Sequence, residues 1–213
     1  MNCRKFGKAL IALLLVLTVK AWTKGNEFME NELYIIPRDC DFSTVSNGAS
    51  ARNECSPKLK DRFFSDFLGV VINVPEKVIW NENDSVDDYP IGPWGETEGP
   101  FRLFLAGLIR VPYKVMELYQ DIDEQVLVIA VNQDNAIAYS GKMPRANFES
   151  MPEENTPKRL RNQAELEALT DSYFNLDLIH DLGVPIADAT YHVYATLGEY
   201  KSNVMTVKTS VKK

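Results

Sequence analysis

The chain has 213 residues, 45% hydrophobic, 25% charged and 10% aromatic, with 11 glycines and 11 prolines. This composition excludes a disordered, collagenous or disulfide-dense protein, and the length suits one domain with a sizeable core plus a short appendage. A formal charge of −7, with no basic stripe beyond Lys158-Arg159-Leu160-Arg161, argues against nucleic-acid binding.

The first residues carry the clearest signal. Arg4, Lys5 and Lys8 precede an uncharged apolar run from Ala9 to Val19, and Val19-Lys20-Ala21 offers small or β-branched residues at both cleavage-recognition positions. That is the layout of a secretory signal peptide over residues 1–21, with cleavage after Ala21 and a secreted or periplasmic destination. The run is too short for a permanent transmembrane helix, and Cys3 lies before it, which argues against a lipoprotein. Cleavage would remove four positive charges and no negative one from −7, leaving −11. It would also leave an even pair of cysteines, and a Cys40–Cys55 disulfide closing a polar loop is the simplest use of them in an oxidising compartment.

Residues 22–56 read as a lead-in holding one edge strand at Leu33-Tyr34-Ile35-Ile36 and the disulfide loop, and residues 57–213 as a single domain. Ser56-Pro57 followed by Leu59, Phe63 and Phe67 predicts a helix of roughly ten residues. From Val70 onward the pattern is of short β-rich runs between turn residues: 70–74, 77–80, 101–109, 125–131, 136–139, 173–178, 189–196 and 203–211. The run from Phe101 to Ile109 is apolar enough to be buried on both faces. Residues 113–119 fit neither the helical nor the strand period. Asn132-Gln133-Asp134-Asn135 predicts a hairpin turn, and Thr156-Pro157 with Leu160, Ala164, Leu166, Ala168 and Leu169 a second helix. These elements predict a mainly β protein, an antiparallel β-sandwich of about eight to ten strands with one or two short helices. The closing strands are superficially similar to those of immunoglobulin-like and fibronectin-type domains, but the Cys–Trp–Cys signature of true immunoglobulin domains is absent.

The most unusual tract runs from Tyr89 to Pro100, stiffened by three prolines and centred on Trp94, with Glu96 and Glu98 beside it. A Trp face with neighbouring carboxylates can stack on a sugar or hold a cation, so Trp94, Glu96 and Glu98 are the candidate binding residues; the bland reading is a Trp tucked into the sandwich end. His192 lies in an alternating strand, with Tyr191 and Val193 on the opposite face. His180 is next to Asp181, but sequence neighbours seldom face each other. The acidic tracts 81–88 and 121–124 could offer calcium oxygen ligands, yet neither matches an EF-hand, and solvated turns are the plainer reading. No catalytic motif, metal set or cofactor fingerprint is present.

The expected function is therefore that of an exported, non-enzymatic protein recognising a protein or glycan through loops at one end of the sandwich. The alternatives are a carboxylate-based glycan hydrolase near Trp94, Glu96 and Glu98, and a peptidase inhibitor presenting the 89–100 loop.

Overall fold

The computed structural model describes residues 33–46, 48–49, 52–61, 66–81, 101–118, 122–142 and 161–213. Two sheets face each other. One is four-stranded and antiparallel, in the order β2 (Gly48–Ala49), β9 (Leu169–Asp177), β6 (Phe104–Pro112) and β4 (Gly69–Asn73). The other runs β5 (Lys77–Asn81), β12 (Met205–Lys212), β10 (Ala189–Leu197), β7 (Leu127–Asn132) and β8 (Ala138–Lys142), with β11 (Tyr200–Lys201) also paired to β10. Its β5–β12 pair is parallel and its other pairs antiparallel. The expected antiparallel β-sandwich is thus the observed fold, with eight strands of five or more residues among those described.

Alternation explains how the two sheets join. Along β10 the side chains of Tyr191, Val193, Ala195 and Leu197 are buried, while the intervening residues are half-exposed. They meet Val128 and Ala130 of β7, Val70 and Ile72 of β4, Leu105 and Ile109 of β6, and Phe174 and Leu176 of β9 in one core. Each of the larger of these, Val, Leu, Ile and Phe, contributes about 1.5 to 3 kcal/mol by leaving water.

The four-stranded sheet is covered on its other face too, which is why Phe104 to Val111 is buried at every position. The cover is the N-terminal segment. Val45, Cys55 and half-buried Cys40 pack on Phe104 and Ala106, while Tyr34 packs on Val71 and Leu108. Cys40 and Cys55 form the expected disulfide, with Cα atoms 5.2 Å apart, a bond compatible with an extracellular location. Buried Asn73 fastens this layer to β4, its Nδ2 donating to the carbonyls of Pro37 at 2.8 Å and Cys55 at 2.9 Å. Replacing both cysteines by serine is expected to lower the unfolding free energy by about 3 kcal/mol, the loop-closure value for a bridge of this span. Urea unfolding, followed by tryptophan fluorescence, checks it.

Three local expectations are corrected. Lys58–Leu59 is not helical but a strand, β3, paired with β1 (Tyr34–Ile35). The Ser56 hydroxyl, read as a helix cap, instead accepts the Asn53 N–H at 3.0 Å, while Leu59 packs into the cluster of Tyr34 and Val71. Tertiary pairing has overridden the local cap signal. Residues 113–118, without a clear period, form α1 (Tyr113–Leu118), tied down where the Tyr113 N–H donates to the Ala168 carbonyl at 2.8 Å. The second helix, α2 (Gln163–Glu167), is shorter than its sequence pattern and starts from an Asn162–Glu165 capping box, not from Thr156-Pro157. β9 begins at Leu169, directly after it. The segment 1–21 lies outside the described residues, among which no helix is long and apolar enough to cross a membrane.

Candidate functional site: a charged cleft at one end of the sandwich

Strand register gathers several connections at one end of the larger sheet. Asn132 lies opposite Tyr191, Ala189 opposite Thr209, and Asn81 opposite Lys212. The β7–β8 turn, the approach to β10 and the point where the 82–100 tract leaves β5 therefore share that end. The turn is held by short-range bonds suited to its Asn and Asp residues. Asn132 Oδ1 accepts the Asp134 N–H at 2.8 Å, Asn135 Oδ1 accepts the Ile137 N–H at 2.9 Å, and Ala136 takes a positive φ of 59°. The Gln133 N–H donates to the Thr190 carbonyl at 2.8 Å, which sets the turn against β10.

Beside this turn is an open cleft of about 430 Å³, lined in part by Lys77, Asp134, Asp188, Thr190, Lys208 and Ser210. Thr190, Lys208 and Lys77 are successive cross-strand partners on β10, β12 and β5, so they form one row on the sheet's outer face. The Asp188 carboxylate accepts the Val211 N–H at 2.7 Å, which holds the chain leading into β10 against β12. Buried Thr209 strengthens the same corner, its hydroxyl donating to the Ala187 carbonyl at 2.7 Å. Chemically the cleft can receive hydrogen bonds and opposite charges in water; it offers no desolvated pocket.

A second point of interest is the turn after β9. His180 pairs through Nδ1 with Asp177 Oδ2 at 2.7 Å, while Oδ2 of its neighbour Asp181 accepts the Asp177 N–H at 2.9 Å. Asp177 is 3% exposed, and its Oδ1 accepts the N–H groups of Ile179 at 2.9 Å and Leu103 at 3.3 Å. A buried, fixed carboxylate thus orients a half-exposed imidazole, leaving Nε2 as that ring's second polar atom. The i, i+3 pairing depends on a turn whose shape the sequence did not announce. His192 lies on the outer face between Val131 and Thr206, as its alternation implies, and burial lowers its pKa below the usual histidine range.

Trp94, Glu96 and Glu98 lie outside the described residues, as does most of the acidic tract 81–88. The tract's flanks are anchored: the Trp80 indole N–H donates to the Arg102 carbonyl at 3.3 Å, and Trp80 meets Phe101 edge to face at 6.4 Å. Ile122–Gln125, within the second acidic region, is a short 3-10 helix. Among the described residues no three His, Cys, Asp or Glu side chains are grouped to hold a metal ion. Sequence reading missed the cleft because its lysines come from strands 131 positions apart that meet only through the parallel β5–β12 pairing.

Comparison with protein-family models, with curated proteins and with solved structures finds no match for the chain.

Proposed function

We propose that the chain is an exported, non-enzymatic recognition protein that binds a protein or glycan at one end of its sandwich. The observation that carries this reading is the convergence on one sheet end of the β7–β8 turn, the approach to β10 and the origin of the 82–100 tract, around an open cleft of mixed charge. Loops set on a rigid double sheet are a common platform for recognition, because the ladder fixes their bases while their tips remain free to contact a ligand. The signal-like N-terminus, the disulfide and the acidic surface charge all suit a protein working outside the cell. Trp94, Glu96 and Glu98 stay proposed binding residues on their sequence alone, an aromatic face flanked by carboxylates.

A glycan array, followed by titration of any glycan bound, tests the reading. W94A and K77Q/K208Q are expected to weaken binding by about tenfold or more, while K114Q on α1 leaves it unchanged. Capture that survives both variants would overturn it.

One observation favours a second reading, hydrolysis: the Asp177–His180 pair has the fixed-carboxylate, oriented-imidazole geometry of a general base. If a hydrolytic activity is detected, H180Q should reduce kcat by about a hundredfold or more under this reading. Unchanged turnover in that variant would remove it.

A further inference from the structure

The end cleft is lined by two lysines and two aspartates. Lys208 and Lys77 are direct cross-strand neighbours on β12 and β5. Like charges placed opposite each other on a sheet repel and lower stability. Neither lysine forms an ion pair with a carboxylate among the described residues, although Arg38, Arg110, Lys114 and Arg161 all do. Asp134 enters the cleft from the β7–β8 turn and Asp188 from the approach to β10, the latter with its carboxylate held on the Val211 N–H of β12 at 2.7 Å. The same cleft is lined by Thr190, opposite Lys208, and Ser210, two residues further along the same face of β12.

This arrangement selects against simple ions. A lone anion drawn to the lysines meets the two aspartates and the acidic field of the whole protein, and a lone cation drawn to the aspartates meets the lysines. A molecule carrying both charges satisfies both pairs. We infer that this cleft binds a small zwitterion, its carboxylate or phosphate held by Lys77 and Lys208 and its ammonium by Asp134 and Asp188, with Thr190 and Ser210 bonding the span between. The cleft's volume of about 430 Å³ is within the ordinary range for a small-molecule site. The inference rests on the sandwich end being a recognition surface and names the ligand class for it.

The test is a titration of the purified, amide-labelled protein followed by two-dimensional NMR, with phosphoethanolamine and γ-aminobutyrate as probes and inorganic phosphate and ethanolamine as their single-charge counterparts. The two zwitterions distinguish a phosphate from a carboxylate ligand. The expected result is saturable shifts at the amides of Thr190, Lys208 and Ser210 with one zwitterion, at least tenfold weaker binding of the single-charge compounds, and a similar loss in K77Q/K208Q and in D134N/D188N. K77R/K208R should retain binding, since it keeps the charge. The amide spectra of all variants away from the cleft report whether the fold is intact. Three outcomes would overturn the inference: no saturation below about 10 mM zwitterion, phosphate alone binding as well, or both neutralised variants binding like wild type. If the zwitterions fail while K77Q/K208Q still abolishes capture of an array-identified glycan, the ligand class is wrong and the recognition surface stands. If the zwitterion binds but glycan capture survives every sandwich-end variant, the wider reading falls.

Discussion

Gly107→Ala is expected to destabilise the protein by about 3 kcal/mol, at the upper end of overpacking costs. Gly107 lies mid-strand in β6, directly opposite Phe174 of β9, and the ring of Phe174 fills the space a side chain would occupy. A Cβ placed there would stand 2.2 Å from two ring carbons, well inside van der Waals contact. Relief by moving the ring is restricted, because Phe174 is fully buried and packed among the residues that join the two sheets. Relief by moving the backbone would strain β6, which is paired on both sides along the sheet. The glycine is therefore required by close approach, the aromatic ring of its neighbour supplying the apolar contact that glycine lacks.

A double-mutant cycle separates this cause from a general intolerance of alanine in a strand. Phe174→Leu alone should cost about 1 to 2 kcal/mol, but in the presence of Gly107→Ala it should remove much of the clash, giving a coupling of about 2 kcal/mol. Urea midpoints of the four proteins supply the numbers. Additive losses, with no coupling, would show that the ring is not what excludes the side chain.

The same pair shows how far the sequence could be read. The apolar run around Gly107 announced a strand buried on both faces, and β6 is such a strand. What the run could not announce was the partner, since Phe174 is 67 positions away and reaches it only through sheet register. The hairpin at Asn132–Asn135 and the alternation from Ala189 were legible for the opposite reason: their signals are local and their consequences are local. The helix expected after Ser56 failed where a local signal met a tertiary one, strand pairing with Tyr34–Ile35. Of the candidate binding residues, Trp94, Glu96 and Glu98 were singled out by composition, whereas Lys77, Lys208, Asp134 and Asp188 of the cleft passed unnoticed. Charges on scattered strands carry no motif; only the β5–β12 and β10–β12 pairings turn them into a cleft.

Asn203 offers the sharper case, because the sequence showed only the first residue of a closing run, 203–211, while β12 begins at Met205. It is 3% exposed, and its amide makes two bonds to one residue of β4, accepting the Ile72 N–H at 2.8 Å and donating to the Ile72 carbonyl at 2.9 Å. β4 is an outer strand of its sheet, so these groups face away from β6 and would otherwise be buried without partners. The side chain stands in for one residue of a missing strand. Its neighbour Ser202 fixes it in place, the hydroxyl accepting the Ala195 N–H at 2.8 Å and donating to the Asn203 carbonyl at 2.6 Å. Asn203→Ala leaves a buried donor and a buried acceptor on Ile72 and is expected to cost about 3 to 4 kcal/mol, the sum of two such orphaned groups. Asn203→Asp makes the loss depend on pH. The new carboxyl can accept from the Ile72 N–H in either form, but it donates to the Ile72 carbonyl only when protonated, and burial also favours the neutral acid. Its pKa in the folded protein is therefore raised above the unfolded value of about 3.9, so its contribution is fully present below that pH and is lost as pH rises through the folded value. Relative to wild type, the variant should be close to native stability near pH 4 and lose most of it by pH 7 in urea unfolding. A penalty that is the same at both pH values, or an alanine variant costing less than about 1 kcal/mol, would mean that the edge of β4 is satisfied by some other group.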